Sequence, residues 1–115
     1  MTASPPLISV ILIDGSFRER FHAVDAFATQ TFPPERFEII WVEHYGRVDA
    51  ALAERVARYP NLRLITLGRE GSYHSAYCRN AGVRASRGEL IVYADGDVVP
   101  EPTALQSLWD AHQKT

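Results

Sequence analysis

The stretch Gly88-Glu89-Leu90-Ile91-Val92-Tyr93-Ala94-Asp95-Gly96-Asp97 decides how the rest of the chain is read, because an uncharged run of strand-forming residues ends there on two carboxylates separated by one glycine. Residues 90–94 form a near-continuous apolar run, which predicts a strand buried on both faces. Asp95 and Asp97 are hard oxygen ligands, and Gly96 lets a cation or a phosphate approach the backbone. That combination suits a divalent metal shared with a substrate diphosphate. The plain alternative is a surface turn, since Asp-Gly also favours tight turns.

Working outward, Ser72 or Ser75 is the expected cap of a helix that runs through Ala76, Ala81, Val83 and Ala85 and stops at Gly88. Its small residues allow close packing on a sheet. Beyond the acids, Pro100-Glu101-Pro102-Thr103 opens a last helix through Leu105, Leu108 and Trp109. Toward the N-terminus, apolar runs at residues 7–13, 37–42 and 62–67 read as three more strands, the last alternating enough to lie nearer a sheet edge. Between them, Ser16-Phe17-Arg18-Glu19 matches a capping box for a helix through Phe21, Val24, Phe27 and Ala28. Asp49 is the expected N-cap of a helix through Leu52, Val56 and Tyr59 that Pro60-Asn61 ends.

Strands alternating with helices over short links predict an α/β, Rossmann-like, three-layer α/β/α fold with a mainly parallel sheet and right-handed crossovers. Ligands of such sheets lie at the carboxyl ends of the strands. Those ends are Asp14-Gly15, Glu43-His44, Gly68-Arg69 and Asp95-Gly96-Asp97, so four loops converge on one rim.

The 115 residues, 46% hydrophobic and 23% charged, have the composition of one globular domain. A net charge of −2 leaves no basic footprint for nucleic acid. Cys78 is the only cysteine, which excludes an intramolecular disulfide and a thiol zinc cluster. No basic leader precedes the first apolar run, and that run stops at Asp14, too short to span a bilayer. The expected setting is the reducing cytoplasm.

The run Tyr77-Cys78-Arg79-Asn80-Ala81-Gly82-Val83-Arg84-Ala85-Ser86-Arg87-Gly88-Glu89, followed by the apolar strand and Asp95-Gly96-Asp97, resembles the family 2 glycosyltransferases, whose nucleotide-sugar-binding fold is GT-A. Val99-Pro100-Glu101-Pro102 resembles the usual continuation, and the likeness extends over nearly the whole chain. It implies that Asp97 holds a divalent metal, Mg or Mn, and that Asp95 reaches the ribose or shares in the metal shell. It further implies that Glu43 recognises the nucleotide base, that Arg79 lies near the nucleotide, and that Ile13 and Asp14 line the base pocket. A UDP-sugar is the implied donor, and the acceptor is unknown.

The chain departs from the family where Leu12-Ile13-Asp14-Gly15 replaces the usual Pro-Thr-Tyr-Asn, and where Glu43-His44-Tyr45-Gly46 replaces Asp-Asp-Gly-Ser. Only residues 98–115 follow the acids, whereas the family's acceptor half and catalytic base come after them. The expectation is therefore a donor half, residues 1–115, truncated after the Asp-x-Asp motif, with self-association at the resulting sheet edge and no assignable base.

Two alternatives stand beside this reading. One is a non-catalytic nucleotide-sugar-binding or assembly module of the same descent. The other is an aspartyl phosphotransferase resembling the haloacid dehalogenases, against which the late position of the motif and the single lysine, Lys114, both argue. Arg79 has the alternative of a surface residue paired with a carboxylate, and Glu43 that of a solvated loop acid. His44 and His74 read as solvated loop histidines. Trp41, Phe21 and Phe27 read as core, and Cys78 as packing.

Overall fold

Four parallel strands form the sheet of the computed structural model, which describes residues 4–14 and 21–115. The strands are β1 (Ile8–Asp14), β2 (Phe37–Glu43), β3 (Leu62–Thr66) and β4 (Leu90–Asp95), in the spatial order β3-β2-β1-β4. The helices are α1 (His22–Ala28), α2 (Ala50–Arg58), α3 (Ser75–Ala85) and α4 (Ala104–Gln113), with a 3-10 turn at Pro34–Arg36 ahead of β2. The capping box at Ser16 lies outside the described residues.

One face of the sheet packs Val10, Leu12, Ile39 and Trp41 against Val24 and Phe27 of α1, Leu52 of α2 and Leu105 of α4. The other face packs Ile11, Ile13, Ile40 and Val42 against Cys78 and Ala81 of α3. Helices on both faces make three layers. Phe21 meets Trp41 edge-on, with ring centroids 5.3 Å apart, and both are buried with Phe27 as expected of core.

β1 and β2 are buried at every position, whereas β4 is not, contrary to the sequence expectation. Among the described residues β4 has a neighbour on one side only, and Leu90, Val92 and Ala94 of one face pack against the core cluster that includes Leu105. Tyr93, on the opposite face, is 52% exposed. An apolar strand at an edge reads like an interior strand because composition reports what a strand can pack against, not where it lies.

The caps also differ from expectation. The residue before α3 is His74, without a side-chain cap bond, and Ser75 is already helical. Its hydroxyl accepts instead from Arg79 Nη1 at 3.3 Å. Asp49 does hold the N-cap position of α2, but its carboxylate accepts from Arg47 Nε rather than from the helix.

α3 ends at Ala85, short of Gly88, because the next polar groups are claimed from outside the helix. The Arg87 N–H donates to Glu38 Oε2 at 2.7 Å, and the Gly88 N–H to Ser9 Oγ at 2.8 Å. Ser9 Oγ in turn donates to Glu38 Oε2 at 2.6 Å, while Arg63 Nη2 reaches Glu38 Oε1 at 2.8 Å. Burial pushes the Glu38 carboxyl up, but the Ser9 hydroxyl, the Arg87 N–H and the Arg63 guanidinium outweigh it and hold the group below its ordinary value. The starts of β1, β2, β3 and β4 are thereby tied together.

Gly88 is required at this crossing. A Cβ there would lie 2.6 Å from Ser9 N and 2.7 Å from the Ile8 carbonyl carbon. A Cβ at Gly82, where α3 presses on β1, would meet Ile11 Cγ2 at 2.5 Å. The first obstacle is backbone and the second the buried side chain of Ile11, which can give more than backbone. Gly88→Ala is therefore expected to lower unfolding free energy by about 1–3 kcal/mol, the usual cost of overpacking, and Gly82→Ala by less. Urea denaturation of the two variants measures the order.

Candidate functional site

Parallel pairing in register brings the strand exits to one height. Asp14 lies opposite Glu43, Ile13 opposite Asp95, and Glu43 opposite Thr66. Past the last rungs the backbone stays linked: the His44 N–H donates to the Asp14 carbonyl at 2.8 Å, and the Arg69 N–H to the His44 carbonyl at 3.0 Å. The exits of β2 and β3 cross at Gly46 and Gly68, both at positive φ, with a Cβ on Gly46 only 3.6 Å from Gly68 Cα. Tyr45 Oη donates to the Gly71 carbonyl at 2.7 Å and closes this side of the rim.

At the end of β4, the Val98 N–H donates to the Asp95 carbonyl at 3.1 Å. The Asp-Gly-Asp segment is thus a turn, and the turn presents its acids: Asp95 and Asp97 are exposed while Gly96 is buried between them.

A cavity of about 330 Å³ opens beside it, lined by Ile11, Ile13, Arg79, Tyr93, Ala94, Asp95 and Val98. Three residues singled out from sequence, Ile13, Arg79 and Asp95, meet there although they come from β1, α3 and β4. The lining combines one cation and one carboxylate, Arg79 and Asp95, with apolar and aromatic side chains. Asp14 and Glu43 lie on the same rim but inside it, 1% and 2% exposed. Glu43 is therefore no solvated loop acid; its Oε1 accepts from the Trp41 indole N–H at 2.8 Å. Cys78 is buried under the sheet, where desolvation pushes its thiol up and makes it a packing group.

His44 departs most from the sequence reading. It is fully buried rather than solvated, and neither ring nitrogen has a hydrogen-bond partner among the described residues. Aromatic rings surround it: Tyr45 at 4.5 Å, Tyr73 at 5.3 Å and His74 at 6.2 Å between centroids. His74 itself is exposed. The ladder continues from His74 to Tyr77, over which the Arg69 guanidinium sits at 3.8 Å. Burial, then the positive charges of Arg69 and His74, lower the His44 pKa. An isolated histidine in a predicted loop gave no sign of this; its place directly after a buried strand was the one available signal.

The family model for glycosyl transferase family 2 matches residues 21–115. The chain belongs to glycosyl transferase family 2. Among curated proteins, this family 2 chain is 31% identical over 113 residues to the glycosyltransferase AglE of Haloferax volcanii, covering 92% of this chain and 35% of AglE. Among solved structures it resembles S. aureus TarS 1-349, with a TM-score of 0.78 and 22% identity over 93% of this chain and 32% of TarS 1-349. The same TarS fragment, solved in complex with UDP-GlcNAc, matches with a TM-score of 0.77 and 22% identity over 93% of this chain and 31% of that one. The family 2 chain thus spans about a third of the length of these relatives. Its four-stranded parallel sheet with helices on both faces is the Rossmann-like α/β arrangement of the GT-A fold seen in TarS.

Among the described residues no cluster of three or more His, Cys, Asp or Glu is arranged to hold a metal, and no helix is long and apolar enough to cross a membrane. The protonation of His44 gives the rim a measurable signature. The unfolded chain takes up a proton there as pH falls below the ordinary value of 6.5, whereas the folded chain resists it to lower pH, so stability declines on the acid side of 6.5. His44→Gln removes that term. Between about pH 6.5 and about pH 5 its Tm is expected to fall by a few degrees less than that of the natural chain in thermal melts.

Proposed function

We propose that this chain is the donor-binding half of a family 2 glycosyltransferase, holding a nucleoside-diphosphate sugar for attack by an acceptor hydroxyl. The observation that carries this reading is the meeting of Ile13, Arg79 and Asp95 in one cavity at the carboxyl ends of the strands. Support for UDP as the nucleotide comes from TarS, solved with UDP and with UDP-GlcNAc.

In this reading Arg79 meets the diphosphate, Ile13 and Asp14 wall the base pocket, and Glu43 lies close to the base. Asp97 and Asp95 hold Mg or Mn, as two exposed hard carboxylates on one turn suit either ion once diphosphate oxygens complete the shell. Such an ion, when bound, neutralises charge on the leaving diphosphate. Arg79 adds a cation to the lining of the same cavity. The base that deprotonates the acceptor hydroxyl is not assigned to any residue of this chain.

Calorimetric titration of UDP with and without Mn tests the reading. The expected result is binding that requires Mn and weakens at least tenfold in Asp97→Asn. Failure of UDP to bind the folded chain in Mn would overturn it.

One observation favours assembly as a second reading. Among the described residues β4 is an edge strand, without charge or proline over residues 90–94. Tyr93 and Val99, 52% and 65% exposed, extend this apolar margin. Antiparallel pairing of β4 with β4 of a second copy would cover it. Light scattering on a gel-filtration column is expected to give twice the monomer mass, reduced to one by Tyr93→Lys; a monomer at every concentration would overturn the assembly.

A further inference from the structure

We propose that the other end of the sheet, at the starts of the strands, holds a binding site for a small zwitterion with a large apolar body, the chemistry of an aromatic amino acid. The site is a cavity of about 750 Å³, more than twice the volume of the one beside Asp95. It lies where the 3-10 turn runs into β2, where α2 gives way to β3 and where α3 leads to β4, and it stands apart from the donor-site reading. A cavity of this size, apolar with a few convergent polar groups, suits a small molecule.

Its walls are largely proline. Pro5, Pro6, Pro34 and Pro60 line it together with Phe37. Pyrrolidine rings present apolar surface without an N–H, and their fixed φ means that little is left to order when a flat apolar body is laid against them. The wall is braced across the chain as well. Asn61 Nδ2 donates to the Pro34 carbonyl at 3.1 Å and to the Phe37 carbonyl at 3.2 Å, and the Leu7 N–H donates to the Arg36 carbonyl at 2.7 Å. The segments that enter β1, β2 and β3 are thereby held together, so the cavity is shaped by the fold itself.

Charge of both signs enters the lining. Arg63 and Arg87 line the cavity with Glu38, and two guanidinium groups there share one carboxylate. Glu38 does not saturate them. It takes Arg63 Nη2 and Arg87 Nε and Nη2, while Arg63 Nε is left without a partner among the described residues. A ligand carboxylate would add the second negative charge that such a pair matches. Glu35 supplies the other sign: it is exposed on the 3-10 turn, lines the same cavity and forms no ion pair among the described residues. A plain anion would meet Glu35 as a like charge, and a plain cation would meet the arginines. The lining therefore complements a molecule that carries both a carboxylate and an ammonium group.

The test is an NMR titration of the isotope-labelled full chain with tryptophan, with N-acetyltryptophan, which lacks the ammonium, and with tryptophanamide, which lacks the carboxylate. Tryptophan is expected to give saturable shifts of the Asn61 side-chain amide and the Arg87 backbone N–H below about 10 mM, with Gly96 at the far end of the sheet unmoved. Each analogue is expected to bind about tenfold more weakly, the usual worth of one charge-assisted contact. Glu35→Gln, an exposed substitution, should bring tryptophan to the affinity of N-acetyltryptophan, and Arg87→Gln should bring it toward that of tryptophanamide. No saturable shift at Asn61 and Arg87, equal affinity for the three compounds, or unchanged tryptophan affinity in Glu35→Gln would each overturn the proposal. If Arg87→Gln does not fold, the analogues and Glu35→Gln decide. Titration with UDP judges the donor reading separately, because that site is at the opposite end of the strands.

Discussion

Glu38 is almost shut off from solvent, yet it stays ionised because its partners come from three separated parts of the chain. Ser9 belongs to β1, Arg63 to β3, and Arg87 to the segment that leads into β4. A buried carboxylate that loses one of these leaves an uncompensated charge, so the four strand starts are held to one arrangement. Parallel strands whose beginnings are aligned, and whose rungs match one to one, have their ends aligned as well. The rim at the other end of the sheet therefore inherits its geometry from a polar clamp that never touches it.

That inheritance explains why residues far apart in sequence meet at the rim. Ile13 and Asp95 are opposite each other across one ladder, and Asp14 and Glu43 across the next. Arg79 joins them because Gly82 lets α3 lie close on β1. The rim divides by burial: Asp95, Asp97 and Arg79 face solvent, while Asp14, Glu43 and His44 are sealed. Charges that meet a ligand's own charges gain from being reachable, whereas groups that shape a pocket gain from being fixed.

The sheet and the cavity-lining trio were legible because they rest on local signals. The apolar runs are separated by turn residues, and the order of strands and helices leaves few topologies. The exposure of β4 was not legible, since its residues are as apolar as those of β1. Neither was the end of α3, where sequence points to Gly88 as a helix stop. That glycine is needed instead for its close pass under Ser9, a long-range contact that local rules do not contain. Nothing in the sequence singles out Glu38, and His44 reads as a loop histidine. Burial of a polar group depends on what the rest of the chain brings to it, and composition reports that poorly.

The position of β4 has a consequence for how the molecule breathes. β1 is bonded along both sides, so its amides open only when the sheet itself does, whereas β4 is bonded along one side and half-covered on its faces. Local opening is least costly where backbone hydrogen bonds and buried contacts are fewest. The strand that leads into the two acids is thus, like β3 at the opposite edge, better able to fluctuate than β1. Hydrogen exchange across the sheet would record that as a gradient, with protection highest at β1 and falling toward the acids.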